Sequence, residues 1–339
     1  MLSEHTICEM LSAMLPSGRL NDCFESDAEV ITWNGAPSLF TTDEFSAEDL
    51  FRETDPYLLG WNIAAGAISD ILACGGTPVY YAHALTVDKR WDQEFVRQFG
   101  GGVRDVLEAT GARFIGGDCG RAEQWRCTVS VIGSCEGRPV LRRGAAPGDS
   151  VYLSGPIGAG NLEAALTLLK PTGSKDGSIS GASIKTPFPL RQKESALMRK
   201  HASACIDTSD GVCAALNTLA DLNGCGYAVA DLPYLSAGLR LCEQLLLPKT
   251  LLFLGEGGEY ELLFTVKAEN ERRLHEETLG AGCVFHRLGS MTASGRTLRE
   301  DDRVIDLEPL RMQARDYEHP RQYLESLLQR LAAQLGERS

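Results

Sequence analysis

Ile206-Asp207-Thr208-Ser209-Asp210-Gly211 sets two carboxylates three residues apart, with two hydroxyls between them, where an apolar run gives way to a helix-like run from Val212 to Leu222. The residues before it read as a strand into Asp207, so the unit is strand, acidic turn, helix. An N-cap explains part of it: Ser209 or Asp210 caps the helix and Gly211 relieves the turn. That leaves Asp207, which directly follows an apolar residue. The alternative reading is an anion and metal corner at a helix start.

Working outward, the first half alternates in the same way. Ser38 to Phe45 reads as a strand that ends in Thr41-Thr42-Asp43, with Asp43 at its tip, and Tyr57 to Cys74 as a long apolar helix stopped by Gly75-Gly76. Pro78 to Val87 is a strand, Trp91 to Thr110 a helix, Arg113 to Gly117 a strand stopping at Asp118, and Arg126 to Cys135 a strand of period two. The sum is a βαβαββ, α+β domain over residues 1–145, with the turn Arg143 to Asp149 as its boundary.

Residues 146–319 form a second, α/β domain. It has predicted strands at Ser150 to Ser154, Tyr227 to Ala230, Thr250 to Leu254, Tyr260 to Val266 and Cys283 to Gly289. Helices are predicted at Ala159 to Leu169, from Leu190, near Leu239 to Leu246 and from Glu269 to Leu279. Lys170 to Pro189, rich in Gly, Ser, Pro and Thr, reads as a loop or lid. Residues 320–339 are a tail helix with Leu324, Leu327, Leu328, Leu331 and Leu335 on one stripe.

The chain has 339 residues and a net charge of −13, which opposes a general nucleic-acid binder. No run approaches the roughly 20 apolar residues of a membrane span. Met1 to Leu20 carries Glu4, His5 and Glu9 and does not read as a secretory signal; it fits a short amphipathic helix. Eleven scattered cysteines with no CxxC pair imply reduced thiols and a cytoplasmic protein.

Six aspartates share apolar, glycine-bracketed settings: Asp27, Asp43, Asp70, Asp118, Asp207 and Asp210. Asp70 lies inside the long helix, where Gly66, Ala67, Ala73 and Cys74 are its neighbours at three and four residues. A carboxylate on so apolar a helix is costly unless paired or bound to metal. Any one aspartate is more often a cap or turn residue, and Asp70 has an ordinary alternative in a salt bridge to an arginine. Six converging ones would hold several Mg²⁺ ions along a triphosphate, the arrangement for phosphoryl transfer. No P-loop or protein-kinase motif is present. Gly100-Gly101-Gly102 is read as a close-packing or kink site and His83 as a core or interface histidine.

In order along the chain come TTDEF, NIAAGAISDILACGGTP, IGGDCG, LRRGAAPGDSVYLSG, IDTSDG and GGEYELLFTV. This series resembles the superfamily of aminoimidazole ribonucleotide synthetase, selenophosphate synthetase and the carbamoyl-dehydrating hydrogenase maturation protein. Within it, the thiamine-monophosphate kinase family is nearest, over about residues 20–320. The resemblance implies a two-domain aminoimidazole ribonucleotide synthetase-like fold. It implies a homodimer paired through the N-terminal domains, and direct transfer of the ATP γ-phosphate to thiamine phosphate or a related small acceptor. It places Mg²⁺ on Asp27, Thr42, Asp43, Asp70, Asp118, Asp207 and Asp210, and nucleotide contacts on Gly117, Asp118, Arg142 and Ser209. Tyr317 matches an aromatic that packs on the substrate ring.

The departures fall mainly on the acceptor side. Ser26-Asp27 stands where the family pairs two acids, Leu50 where it has a histidine, and Gly258 where it has a substrate-contacting glutamate, with Glu256 and Glu259 as the neighbouring carboxylates. Two alternatives therefore accompany the kinase reading: a superfamily enzyme that phosphorylates a different acceptor, and a non-catalytic nucleotide-binding dimer.

Overall fold

The computed structural model describes residues 4–49, 55–168 and 187–335. Leu50, most of the Lys170 to Pro189 segment and the last four residues lie outside them. The chain begins with α1 (Glu4–Met14), β1 (Glu29–Trp33), β2 (Ala36–Ser46), α2 (Pro56–Ala73), β3 (Thr77–Asp88), α3 (Gln93–Thr110), β4 (Arg113–Ala122) and β5 (Arg126–Ser134). The five strands form one sheet in the order β1-β2-β5-β3-β4, antiparallel except for the parallel pair β3 and β4. One strand more than the sequence pattern indicated is present, β1, whose exposed Trp33 breaks its alternation.

Helix α2 organises this half. Asp55 caps it by accepting from the Tyr57 and Leu58 amides, and Pro56 sits at its first turn. Ile63, Ile68 and Ile71 are fully buried, each contributing about 2–3 kcal/mol of transfer free energy. The helix is apolar all round because it is covered on both sides, by β2, β3 and β5 and by elements of the second half. Helix α3 crosses it closely: a Cβ on Gly102 would lie 2.0 Å from the Tyr57 carbonyl oxygen. The glycine run is thus a helix-crossing site, and His83 sits among Tyr81, Phe99 and Phe114.

The second half continues with β6 (Ser150–Leu153), α4 (Ala159–Leu168), α5 (Gln192–His201), β7 (Ala202–Asp207), α6 (Val212–Asn223) and β8 (Gly226–Ala230). Then follow α7 (Ser236–Leu245), α8 (Leu251–Leu254), β9 (Leu262–Val266), α9 (Ala268–Ala281), β10 (His286–Thr292), β11 (Arg296–Glu300), β12 (Arg303–Asp306) and α10 (Pro320–Leu335). Its seven strands run β12-β11-β8-β10-β6-β9-β7. Strand β7, at the edge, lies against α2. Tyr323, Leu327 and Leu331 of α10 are buried in this half's core.

Four local expectations need correction. Leu251–Leu254 is a helical turn rather than a strand; all four side chains are buried, and so short an apolar run carries no periodicity to separate the two. Strands β2 and β4 run on past Asp43 and Asp118, so these aspartates lie within strands and not at their tips. Neither Ser209 nor Asp210 caps α6: the cap position is Gly211, with no side-chain hydrogen bond. The Ser209 hydroxyl turns instead to Asp207.

Candidate functional site

Strand alternation decides which residues of β2 face α2. Thr41, Asp43 and Phe45 turn inward, while Thr42 and Glu44 turn to the other face. There Thr42 meets the Ser130 hydroxyl at 3.2 Å, so its side chain is directed away from the other acids. Inward, the Thr41 hydroxyl donates to Asp70 Oδ2 at 2.5 Å. Nothing in the motif pointed to Thr41, but period-two spacing from Asp43 would have found it.

Asp27 enters from the segment before β1, its side chain 1% exposed. The Arg142 guanidinium donates to its Oδ1 through Nη2 at 2.7 Å and Nε at 3.2 Å. Asp207 arrives at the end of β7, where the Ser209 amide and hydroxyl donate to its Oδ1 at 3.3 and 2.9 Å. One oxygen each from Asp27, Asp70 and Asp207 lies within 4.8 Å of the others. Gly66, one turn from Asp70 on α2, keeps the wall open: a Cβ there would stand 3.0 Å from Phe45 and 3.1 Å from Tyr260.

This concentration of charge is only partly compensated within the chain. Burial first, and then the neighbouring Asp207 and Asp27, push the Asp43 carboxyl up to about 7. Burial and Asp27 bring Asp207 to about 6. Burial, Asp43 and Asp207 hold Asp70 well above the usual range. Asp43 Oδ2 and Asp207 Oδ2 are buried without a hydrogen-bond donor among the described residues. Native proteins rarely leave such oxygens unsatisfied. Buried hard-oxygen ligands of this kind, two of them without hydrogen-bond donors, suit a divalent cation such as Mg²⁺.

Asp43, Asp70 and Asp207 line a cleft of about 270 Å³ between the two halves, with Asp210 and Glu256 on its second-half wall. Asp210 is the exposed member, 3.7 Å from Arg315. Glu256 accepts from the Ala314 amide at 2.8 Å, and burial pushes its carboxyl up to about 7. A second cleft of about 290 Å³ adjoins the first, sharing Asp49 and Glu256, and is mostly apolar, with Leu162, Leu252, Tyr323 and Leu324 in its walls.

Other candidates lie elsewhere. Glu259 caps α4, accepting from the Gly158 and Ala159 amides at 2.8 and 2.9 Å, which accounts for its burial structurally. Tyr317 packs edge-on against Tyr323, with ring centroids 5.9 Å apart, and does not line the acidic cleft. Gly117 and Asp118 stand three strands from Asp43, through Val129 and His83, a span of about 14 Å. They do not meet the cluster within one chain. Gly117 is required where it is, since a Cβ would fall 1.7 Å from the His83 carbonyl oxygen.

Residues 25–135 match the AIR synthase related protein N-terminal domain, and residues 146–301 the AIR synthase related protein C-terminal domain. The thiamine-monophosphate kinase of Halobacterium salinarum is 30% identical over 257 residues, 75% of this chain and 84% of that one. That of Escherichia coli K12 is 30% identical over 289 residues, 82% and 85% of the two chains. The structure of AaThiL complexed with AMPPCP and TMP aligns with a TM-score of 0.74 at 25% identity, covering 90% of this chain and 95% of that one. The E. coli hydrogenase maturation protein HypE shares the fold at 19% identity, with a TM-score of 0.65 over 81% and 87% of the chains.

Proposed function

Because the chain belongs to the AIR synthase related protein family and, within it, to the thiamine-monophosphate kinases, we propose that it is an ATP-dependent kinase acting on thiamine phosphate. The observation that carries the reading is the convergence of Asp43, Asp70 and Asp207, from both halves, on one cleft, with Asp27 beside Asp70 and Asp207. These four, with Asp210 at the rim, are the residues that would hold Mg²⁺. A Mg²⁺ ion held by them would supply neutralisation of the phosphate charge.

The chain's own residues prepare the site. Arg142 balances Asp27, Thr41 orients Asp70 and Ser209 orients Asp207. An oxygen of the acceptor's phosphate forms the new bond to the γ-phosphorus as the bond to the β–γ bridging oxygen breaks, and ADP leaves with that electron pair. A phosphate monoester has a second pKa of about 6, so the nucleophile is ionised at neutral pH and no general base is needed. No histidine lines the cleft among the described residues. The apolar cleft suits the acceptor's rings, and Glu256, at the junction, complements a thiazolium cation. Glu256 then takes the part that Gly258 lacks.

The reading extends to a homodimer. Strand β4 has a partner on one side only and is exposed along almost its whole length, with Phe114 and Ile115 more than half exposed. A second copy pairing there would cover these side chains and bring its Gly117 and Asp118 toward the site. Ile115→Glu is expected to shift the mass seen by light scattering from twice 36.8 kDa to 36.8 kDa and to lower turnover by at least about tenfold. The proposed divisions are residues 1–145, 146–319 and 320–339; the chain leaves the first sheet at Ser134 and enters the second at Ser150. A cytoplasmic location accords with eleven free thiols; no helix among the described residues is long and apolar enough to cross a membrane.

Incubation with Mg²⁺, ATP and thiamine phosphate tests the function. Stoichiometric ADP and thiamine diphosphate are expected; ATP turnover with another acceptor but none with thiamine phosphate would reassign the substrate.

The raised carboxyls predict the pH response of the metal-free protein. Their folded values, about 7 and about 6, exceed the ordinary 3.8. The associated stability is therefore complete below the unfolded value and lost as pH rises through 6 and 7. Differential scanning calorimetry in EDTA should show Tm falling by on the order of 5 °C between pH 5 and 8. Saturating Mg²⁺ should remove most of that fall.

A further inference from the structure

A cavity of about 410 Å³ lies away from the acidic cleft, at the opposite end of β7. Ala202 and Ser203, at the start of the strand, line it, while Asp207 ends the strand in the acidic cleft, about 17 Å away at extended spacing. Its walls come from three segments: the linker after β5, the α5–β7 junction and the start of α9. In a chain of net charge −13 these segments supply Arg138, Arg143, Arg199, Lys200, His201 and Lys267.

The carboxylates around them balance only some of this charge. Glu25, Glu136 and Glu277 take Arg143, Arg199 and Lys200, respectively. Glu269 is the one acid in the lining. Arg138 and Lys267 are exposed at its wall and pair with no acid among the described residues. His201 is 7% exposed; its Nε2 lies 3.3 Å from Glu277 Oε1 but has no hydrogen-bond partner. Lys267, the residue before α9, brings no side-chain cap to that 14-residue helix, whose first turn opens on the cavity. Guanidinium forks, an unpaired ammonium and a helix start are the donors that bind phosphate oxygens. The volume exceeds what inorganic phosphate alone requires and lies in the range of small-metabolite sites.

We propose that this basic cavity between Arg138 and Lys267 is a second anion site, separate from the kinase cleft, which binds a small phosphorylated metabolite. Nothing in it resembles reaction machinery, so its role is binding.

Isothermal titration in EDTA isolates it, because the carboxylate cleft without cations repels anions. Inorganic phosphate and ADP are the probes. Wild-type protein is expected to bind at least one of them saturably, and Arg138→Glu with Lys267→Glu to weaken that binding at least about tenfold. Both residues lie outside the kinase cleft, so the double variant should keep its circular dichroism, Tm and ATP turnover. Tighter binding of ADP than of phosphate would support an organic phosphate as the ligand; equal binding would support free phosphate in the same site. The proposal is overturned if neither probe binds at 10 mM (roughly the weakest useful metabolite affinity), or if binding survives the double substitution. These outcomes are independent of whether thiamine phosphate is the kinase substrate.

Discussion

Asp70→Asn is expected to lower kcat by about a thousandfold, roughly 4 kcal/mol of transition-state stabilisation, while raising the Tm of the metal-free protein. The two effects have one cause. Asp70 sits on a helix covered from both sides, with Asp43 and Asp207 as electrostatic neighbours, and its ionisation is strongly opposed. Asparagine keeps an oxygen for the Thr41 hydroxyl but removes the charge that a cation requires. Catalysis loses a ligand and folding loses a repulsion. The measurements are steady-state kinetics at saturating Mg²⁺ and calorimetry in EDTA. A loss of activity accompanied by a lower metal-free Tm would make Asp70 a structural residue.

Arg142→Met has the opposite signature. Arg142 is the ion-pair partner of Asp27, whose side chain is 1% exposed. Removing one partner of a buried pair strands the other charge, at a cost of about 3–5 kcal/mol, which corresponds to a Tm lower by on the order of 10 °C. Adding Asp27→Asn should recover most of the loss, since neither charge then remains. Mg²⁺ should also recover part of it in the single variant, by serving as the missing counter-charge. A change in Tm below about 2 °C, or no recovery in the double variant, would contradict this role for Arg142.

Much of this site was legible in the sequence, for definite reasons. Helix α2 declared itself by being apolar all round, and Asp70 by its ring of small neighbours, because burial leaves those marks at helical spacing. Asp207 could be separated from an ordinary cap because the cap explained only one carboxylate. What spacing does not encode is the partner across the fold. Arg142 faces Asp27, 115 residues earlier, and only the tertiary structure brings them together.

The sequence offered Ser209 as a cap for α6 and, through the resemblance, as a nucleotide contact; in the fold it caps nothing and its hydroxyl turns to Asp207. Thr42 was named where Thr41 makes the contact, since a motif match ignores strand alternation that puts neighbours on opposite faces. Glu259 was a candidate by proximity to Gly258, yet its carboxylate is occupied by two amides at the start of α4. Asp118 was grouped with the other acids by motif, while the sheet sets it three strands away.

The central claim is that the converging aspartates hold the cations of Mg²⁺·ATP. It is tested most directly by a crystal structure of the protein with Mn²⁺ and AMPPCP, read by anomalous scattering at the manganese edge. Peaks are expected among Asp27, Asp43, Asp70 and Asp207, with the triphosphate analogue along them. An ordered AMPPCP with its manganese elsewhere, and no anomalous peak in the carboxylate cleft, would contradict it.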